Sequence, residues 1–170
     1  MRFPWKLALR DAGLLAVTLA FWGVESALRG SGGAAAAGAA LLAGSLTGLC
    51  GYLVHEWGHL TGAWLGRSVV HLPETVFAGF LFQFDSDRNR RSQFLAMSGG
   101  GFLATALVVA LFLAVLPRDV LAGQLALGIT ALGVLATVVL EFPPAWRVLR
   151  GGPLPRGAAY HSEAPSPADA

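Results

Sequence analysis

Four long apolar stretches dominate this chain, and each is long enough to cross a bilayer, which takes about 20 residues. They run near Leu7–Leu28, Ala34–Trp64, Phe94–Leu116 and Val120–Trp146. A segment surrounded by lipid must satisfy its backbone N–H and C=O groups internally, and unbroken apolar stretches of this length read as helices. The expected fold class is an all-α membrane protein of about four transmembrane helices. Composition agrees, with 55% apolar and only 13% charged residues among 170. Residues 1–150 read as one polytopic membrane domain. From Gly151 onward the tail is rich in Pro, Gly, Ala and Ser and reads as a disordered cytoplasmic segment, 151–170.

The charges outside the spans predict the orientation. Arg2, Lys6 and Arg10 precede or open the first span. Arg67, Arg88, Arg90 and Arg91 lie between the second and third, and Arg147, Arg150 and Arg156 follow the fourth. The two remaining loops carry only Arg29 and Arg118. The positive-inside rule therefore places both termini and the central loop in the cytoplasm. An Ala/Gly-rich composition without organelle-targeting signals fits a bacterial plasma membrane. No basic stripe with interleaved aromatics is present, which argues against a nucleic-acid partner. Cys50 is the only cysteine, so an internal disulfide is excluded and a thiolate metal site is disfavoured.

The central loop is not uniformly polar. Val69–Leu72 and Val76–Phe84 are short, apolar and β-prone, with Pro73-Glu74 between them. They predict a membrane-associated hairpin or a re-entrant segment buried in protein. Asp85 to Arg91 reads as a solvated run of mixed charge. Within the second span, Gly44-x-x-x-Gly48 and Gly58-x-x-x-Gly62 place small residues four apart, which lets neighbouring helices approach closely.

Against this apolar background stands His55-Glu56-Trp57-Gly58-His59, an H-E-x-x-H motif. Histidines at i and i+4 share a helical face and can grip one Zn²⁺, while Glu56 is placed to act as a base toward water. Ionisable groups at membrane depth are costly and usually functional. Hydrolytic zinc normally takes three protein ligands. Glu141 is the leading candidate for the third. With a rise of about 1.5 Å per residue, the motif lies roughly 10–16 Å below the cytoplasmic surface and Glu141 roughly 8 Å. The depths agree if the fourth helix breaks at Pro143-Pro144. His71, in the central loop, is the alternative ligand. His161, in the tail, reads as inert.

These residues resemble the site-2 protease family of intramembrane zinc metalloproteases over about Ala34 to Arg150. His55-Glu56-Trp57-Gly58-His59-Leu60 with Gly62-Ala63 is similar to the family's membrane-embedded zinc motif. Ser98-Gly99-Gly100-Gly101 is similar to the Gly-rich start of the next core helix, and the loop before it to the family's membrane-associated strands. The family's last core helix carries an Asp-Gly pair whose aspartate is the third ligand. Here no Asp-Gly occurs, and Glu141 stands in a similar place.

The resemblance implies hydrolysis of peptide bonds in a membrane-anchored protein substrate, within or near the lipid bilayer. Zn²⁺ would sit on His55, His59 and Glu141, and Glu56 would be the general base. Phe80, Ser98, Gly99 and Gly100 are the candidates for lining the path of substrate and water. Two other readings remain: a catalytically inactive relative serving as a membrane scaffold, and a metal-binding membrane protein that is not a hydrolase.

Overall fold

The computed structural model describes residues 4–78, 80–157 and 160–161. Its order is α1 (Trp5–Leu28), α2 (Gly33–Leu65), β1 (Val70–His71), β2 (Gln83–Asp85), α3 (Arg91–Val115) and α4 (Leu121–Ala136). A π-helical turn (Thr137–Glu141), α5 (Phe142–Leu149) and β3 (Tyr160–His161) complete it. Four helices are long and apolar enough to cross a membrane, because α4, the π turn and α5 form one continuous helix. The small strand-bearing segment lies between the second and third of these helices, where the loop composition places it.

Helix α2 is the central member, packed against α3, α4 and α1. Over its most apolar stretch 39% of the residues are buried, against 6% for the last span. The outward faces carry Leu15, Leu19, Leu103, Leu107, Leu111 and Leu135, all exposed. A chain in water would hide these side chains; facing lipid tails they cost nothing.

The glycines of α2 explain its central place. Gly44 and Gly48 face α4, where an added Cβ would lie 2.6 Å from the carbonyl oxygen of Ala122 and 2.8 Å from Cβ of Ile129. Gly58 and Gly62 face α3, where a Cβ on Gly58 would lie 2.6 Å from the Gly100 carbonyl oxygen. Two different helices thus reach α2 at backbone distance. Polar pairs add register: Trp22 Nε1 donates to Thr47 Oγ1 at 2.8 Å, joining α1 to α2. At the far end of α1, buried Glu25 accepts from Arg29 at 2.7 Å.

The fourth helix does not break at Pro143-Pro144. Proline lacks an N–H, and its ring clashes with the carbonyl four residues earlier. The helix absorbs both effects by widening to a π turn, in which the Phe142 N–H donates to the Thr137 carbonyl, and then continues to Leu149.

The loop between α2 and α3 forms part of a three-stranded sheet in the order β1-β2-β3. β1 and β2 are antiparallel, with Val70 opposite Phe84 and His71 opposite Gln83. β3 joins β2 in parallel, with Phe84 opposite Tyr160 and Asp85 opposite His161. Strands are shorter than the apolar runs suggest: Phe77 stays exposed, while Leu81 and Phe82 are buried against the helices. The loop is tied down by Asn89, whose side chain bonds both the N–H and the C=O of Val69 at 2.7 Å. Arg10 of α1 also donates to the Val76 carbonyl at 2.6 Å.

Of the tail expected to be disordered, residues 151–157 and 160–161 are described, and 160–161 form β3. Leu154 and Tyr160 pack against the buried cluster that contains Phe84 and Phe94. Ser86 Oγ donates to the Pro155 carbonyl at 2.7 Å, and the Ser86 N–H to the His161 carbonyl at 2.9 Å. Positions 158, 159 and 162–170 lie outside the described residues.

Candidate metal centre

The histidines of α2 lie one turn apart on the face turned toward α3 and the π turn. Their Nε2 atoms are 3.0 Å apart. Glu141, carried inward by the π turn, places Oε1 3.1 Å from His55 Nε2 and Oε2 3.1 Å from His59 Nε2. π turns of this kind recur at functional sites because they shift one side chain out of α-helical register. His55 is buried, with 5% of its surface exposed.

The other side of each ring is anchored on α3. His59 Nδ1 lies 3.0 Å from the Met97 carbonyl oxygen. His55 Nδ1 lies 3.2 Å from the Gly101 carbonyl oxygen and 2.7 Å from Thr105 Oγ1. A carbonyl oxygen can only accept, so both Nδ1 atoms donate to α3 and both Nε2 atoms are turned to the Glu141 carboxylate. In the neutral imidazoles the Nε2 lone pairs would face each other and the carboxylate, an arrangement that a cation among them relieves. Tetrahedral zinc with bonds of about 2.0–2.1 Å separates its ligand atoms by roughly 3.3 Å. The observed separations of 3.0–3.1 Å are a slightly contracted version of that set. The donor chemistry, two imidazoles and a carboxylate, therefore fits zinc.

Met97, Gly101 and Thr105 are a stripe at four-residue spacing, antiparallel to the equally spaced His55 and His59. Sequence reasoning missed it, although the spacing was visible. Gly101 admits no side chain, because a Cβ there would run into Cε1, Nε2 and Nδ1 of His59. Thr105→Val keeps the shape and removes the hydroxyl partner of His55. It is expected to weaken metal affinity by about 10-fold, the lower end for such orienting partners. Competition with a chelator of known affinity measures it; unchanged affinity would mean that the Gly101 carbonyl alone orients the ring.

Glu56 lines a cavity of about 310 Å³ on the sheet side of the centre, with His59, Phe80, Ser98, Glu141 and Tyr160. Its Oε2 accepts from the Leu81 N–H at 3.3 Å. A second cavity of about 470 Å³ reaches His55 and Glu141 from the other side, between Gly48, Thr105 and Thr137. Glu141 borders both.

Of the four proposed path residues, Phe80 and Ser98 border the cavity beside Glu56. Gly99 and Gly100 do not share that lining. Gly99 is exposed with open space at its Cβ position, and Gly100 packs on Gly58 and Gly62 of α2. Gly100 serves helix approach.

His71 does not join the centre. Its Nε2 lies 2.9 Å from Asp85 Oδ2, and its ring is 4.2 Å from that of His161. Asp85 is also not a solvated charge, being 2% exposed. Burial pushes its carboxyl up, but hydrogen bonds from His71 and the N–H groups of Arg88 and Asp87 prevail and hold it below the usual aspartate range. Burial, reinforced by the charge of Glu141, raises the Tyr160 hydroxyl above the ordinary tyrosine value.

The chain matches no protein-family model, no curated protein and no solved structure.

Proposed function

We propose that this chain is an intramembrane zinc metalloprotease of the site-2 protease type, acting on membrane-anchored protein substrates. The observation that carries the reading is the convergence of His55 Nε2, His59 Nε2 and the Glu141 carboxylate within 3.1 Å, with Glu56 on the adjoining cavity wall. The orientation follows from charge: the end of the bundle that bears the sheet also carries Arg88, Arg90, Arg91, Arg147 and Arg150, and would face the cytoplasm, in a bacterial plasma membrane.

His55, His59 and Glu141 would hold Zn²⁺. When bound, the ion supplies Lewis acidity toward water and toward a carbonyl oxygen. The chain's own residues do the rest. Glu56 takes a proton from the attacking water as the new C–O bond forms. It then delivers that proton to the departing amide nitrogen as the C–N bond breaks, leaving a carboxyl and an amine. The Met97, Gly101 and Thr105 partners keep the imidazoles in one tautomer. The Leu81 N–H holds the Glu56 carboxylate at the cavity wall. Phe80, Phe82 and Phe84 make that wall apolar, suited to an unwound stretch of a membrane segment.

Turnover of a membrane-tethered reporter polypeptide, followed in detergent or vesicles, tests the reading. A strong chelator is expected to abolish cleavage, and stoichiometric zinc to restore it. Cleavage that persists after complete metal removal would overturn it.

A further inference from the structure

The sheet beside the cavity has two chemically distinct faces. Side chains alternate along a strand, and paired residues of neighbouring strands share a face. Val70, Phe84 and Tyr160 occupy one face, directed at the helices, where Phe94 packs against both Phe84 and Tyr160. His71, Asp85 and His161 occupy the other. Each strand contributes one of them, and all offer metal-binding atoms.

We propose that His71, Asp85 and His161 form a second divalent-metal site, which staples the C-terminal strand β3 to the sheet beside the catalytic cavity. Their ligand atoms all lie within 4.8 Å of one another. Asp85 is oriented for the role. Its Oδ1 accepts from the N–H groups of Asp87 at 3.1 Å and Arg88 at 2.9 Å, which turns Oδ2 toward His71 Nε2. Backbone bonds that hold the distal oxygen of a ligating carboxylate are the usual outer support of a metal site. Two imidazoles and one carboxylate suit Zn²⁺ and its first-row neighbours. His161 is exposed, so solvent can complete the coordination and the metal can enter without opening the fold.

The position gives the site its consequence. β3 is two residues long, and such a strand gains little from backbone pairing alone. Tyr160, on its opposite face, lines the cavity with Glu56 and Glu141. A metal that ties His161 to β1 and β2 therefore holds Tyr160 in the cavity wall, and its release frees that wall. The site does not depend on the proposed protease activity.

The test counts metal in the full-length chain, purified in detergent, saturated with Zn²⁺ and desalted. Wild type is expected to hold two zinc ions, His55→Ala/His59→Ala one, and His161→Ala or Asp85→Asn one. If the double variant does not fold, the loss of one ion from wild type to His161→Ala decides alone. A wild type with one zinc, lost in His161→Ala and kept in the double-histidine variant, would uphold this site while removing the catalytic one. Trypsin supplies a second readout. Cleavage after Arg156 needs the chain on both sides of the bond to be extended and free, so Zn²⁺ in excess of its Kd is expected to slow it at least about 5-fold in wild type, by depleting the open form, and not in His161→Ala. Equal zinc content in wild type, His161→Ala and Asp85→Asn, with no effect of zinc on that cleavage, would overturn the proposal and leave a simple His71–Asp85 hydrogen bond with the His161 ring tilted against it.

Discussion

Glu56→Gln is expected to leave zinc content unchanged and to reduce turnover of a membrane-tethered reporter by about 10²–10⁴-fold, the usual worth of a positioned general base. The amide has the same shape as the carboxylate, and its oxygen can still accept from the Leu81 N–H, 3.3 Å from Glu56 Oε2. The cavity wall therefore survives. What disappears is the ability to take a proton from water and return it to the leaving nitrogen. Glu56 is not among the three converging ligands, so the metal has no reason to leave. Turnover near the wild-type rate would remove Glu56 from the mechanism and leave His55, His59 and Glu141 as a binding site without a base.

Glu141→Ala makes the complementary change. It deletes the carboxylate that spans both Nε2 atoms and is expected to weaken zinc affinity by more than about 100-fold, since outer-shell partners alone are worth 10–100-fold. Nothing nearby replaces it: among the described residues the other carboxylate at the cavity is Glu56, turned to Leu81, and His71 is engaged with Asp85. Glu141→Asp is expected to fall between the two, because one fewer methylene withdraws the carboxylate from both histidines at once. Unchanged affinity in Glu141→Ala, measured by chelator competition, would place the third ligand elsewhere.

Much of the architecture was legible because lipid leaves a chain few options. Unbroken apolar length predicts spanning helices wherever it occurs, and the four stretches coincide with the observed helices to within a few residues. The Gly44/Gly48 and Gly58/Gly62 spacings were equally readable, since only close helix packing rewards a glycine every fourth residue inside a span. His55 and His59 share a face for the same periodic reason. Glu141 was reachable as a candidate from its depth and from the scarcity of other carboxylates in the spans, although the helix break that the depth argument required is absent. Pro143-Pro144 suggested a break, whereas a helix can also answer two prolines with a π turn, a choice made by tertiary packing.

The sheet was harder to read. A strand of two residues such as Tyr160–His161 has no periodicity to detect, and its pairing depends on the distant Phe84 and Asp85. Asp85 misled for a related reason. Its neighbours Asp87, Arg88, Arg90 and Arg91 are charged and mark a solvated run, but the residue itself turns inward to His71 and two backbone N–H groups. Composition averages over a window, and burial is decided one side chain at a time.

The most direct test of the central claim is the zinc content of the His55–His59–Glu141 site itself, counted by elemental analysis in a His161→Ala background so that only one site contributes. One zinc per chain is expected, with none after His55→Ala/His59→Ala is added to that background. A properly folded His161→Ala chain that binds no zinc when zinc is supplied would contradict the account, and His55, Glu56 and His59 would then be polar residues of a membrane scaffold.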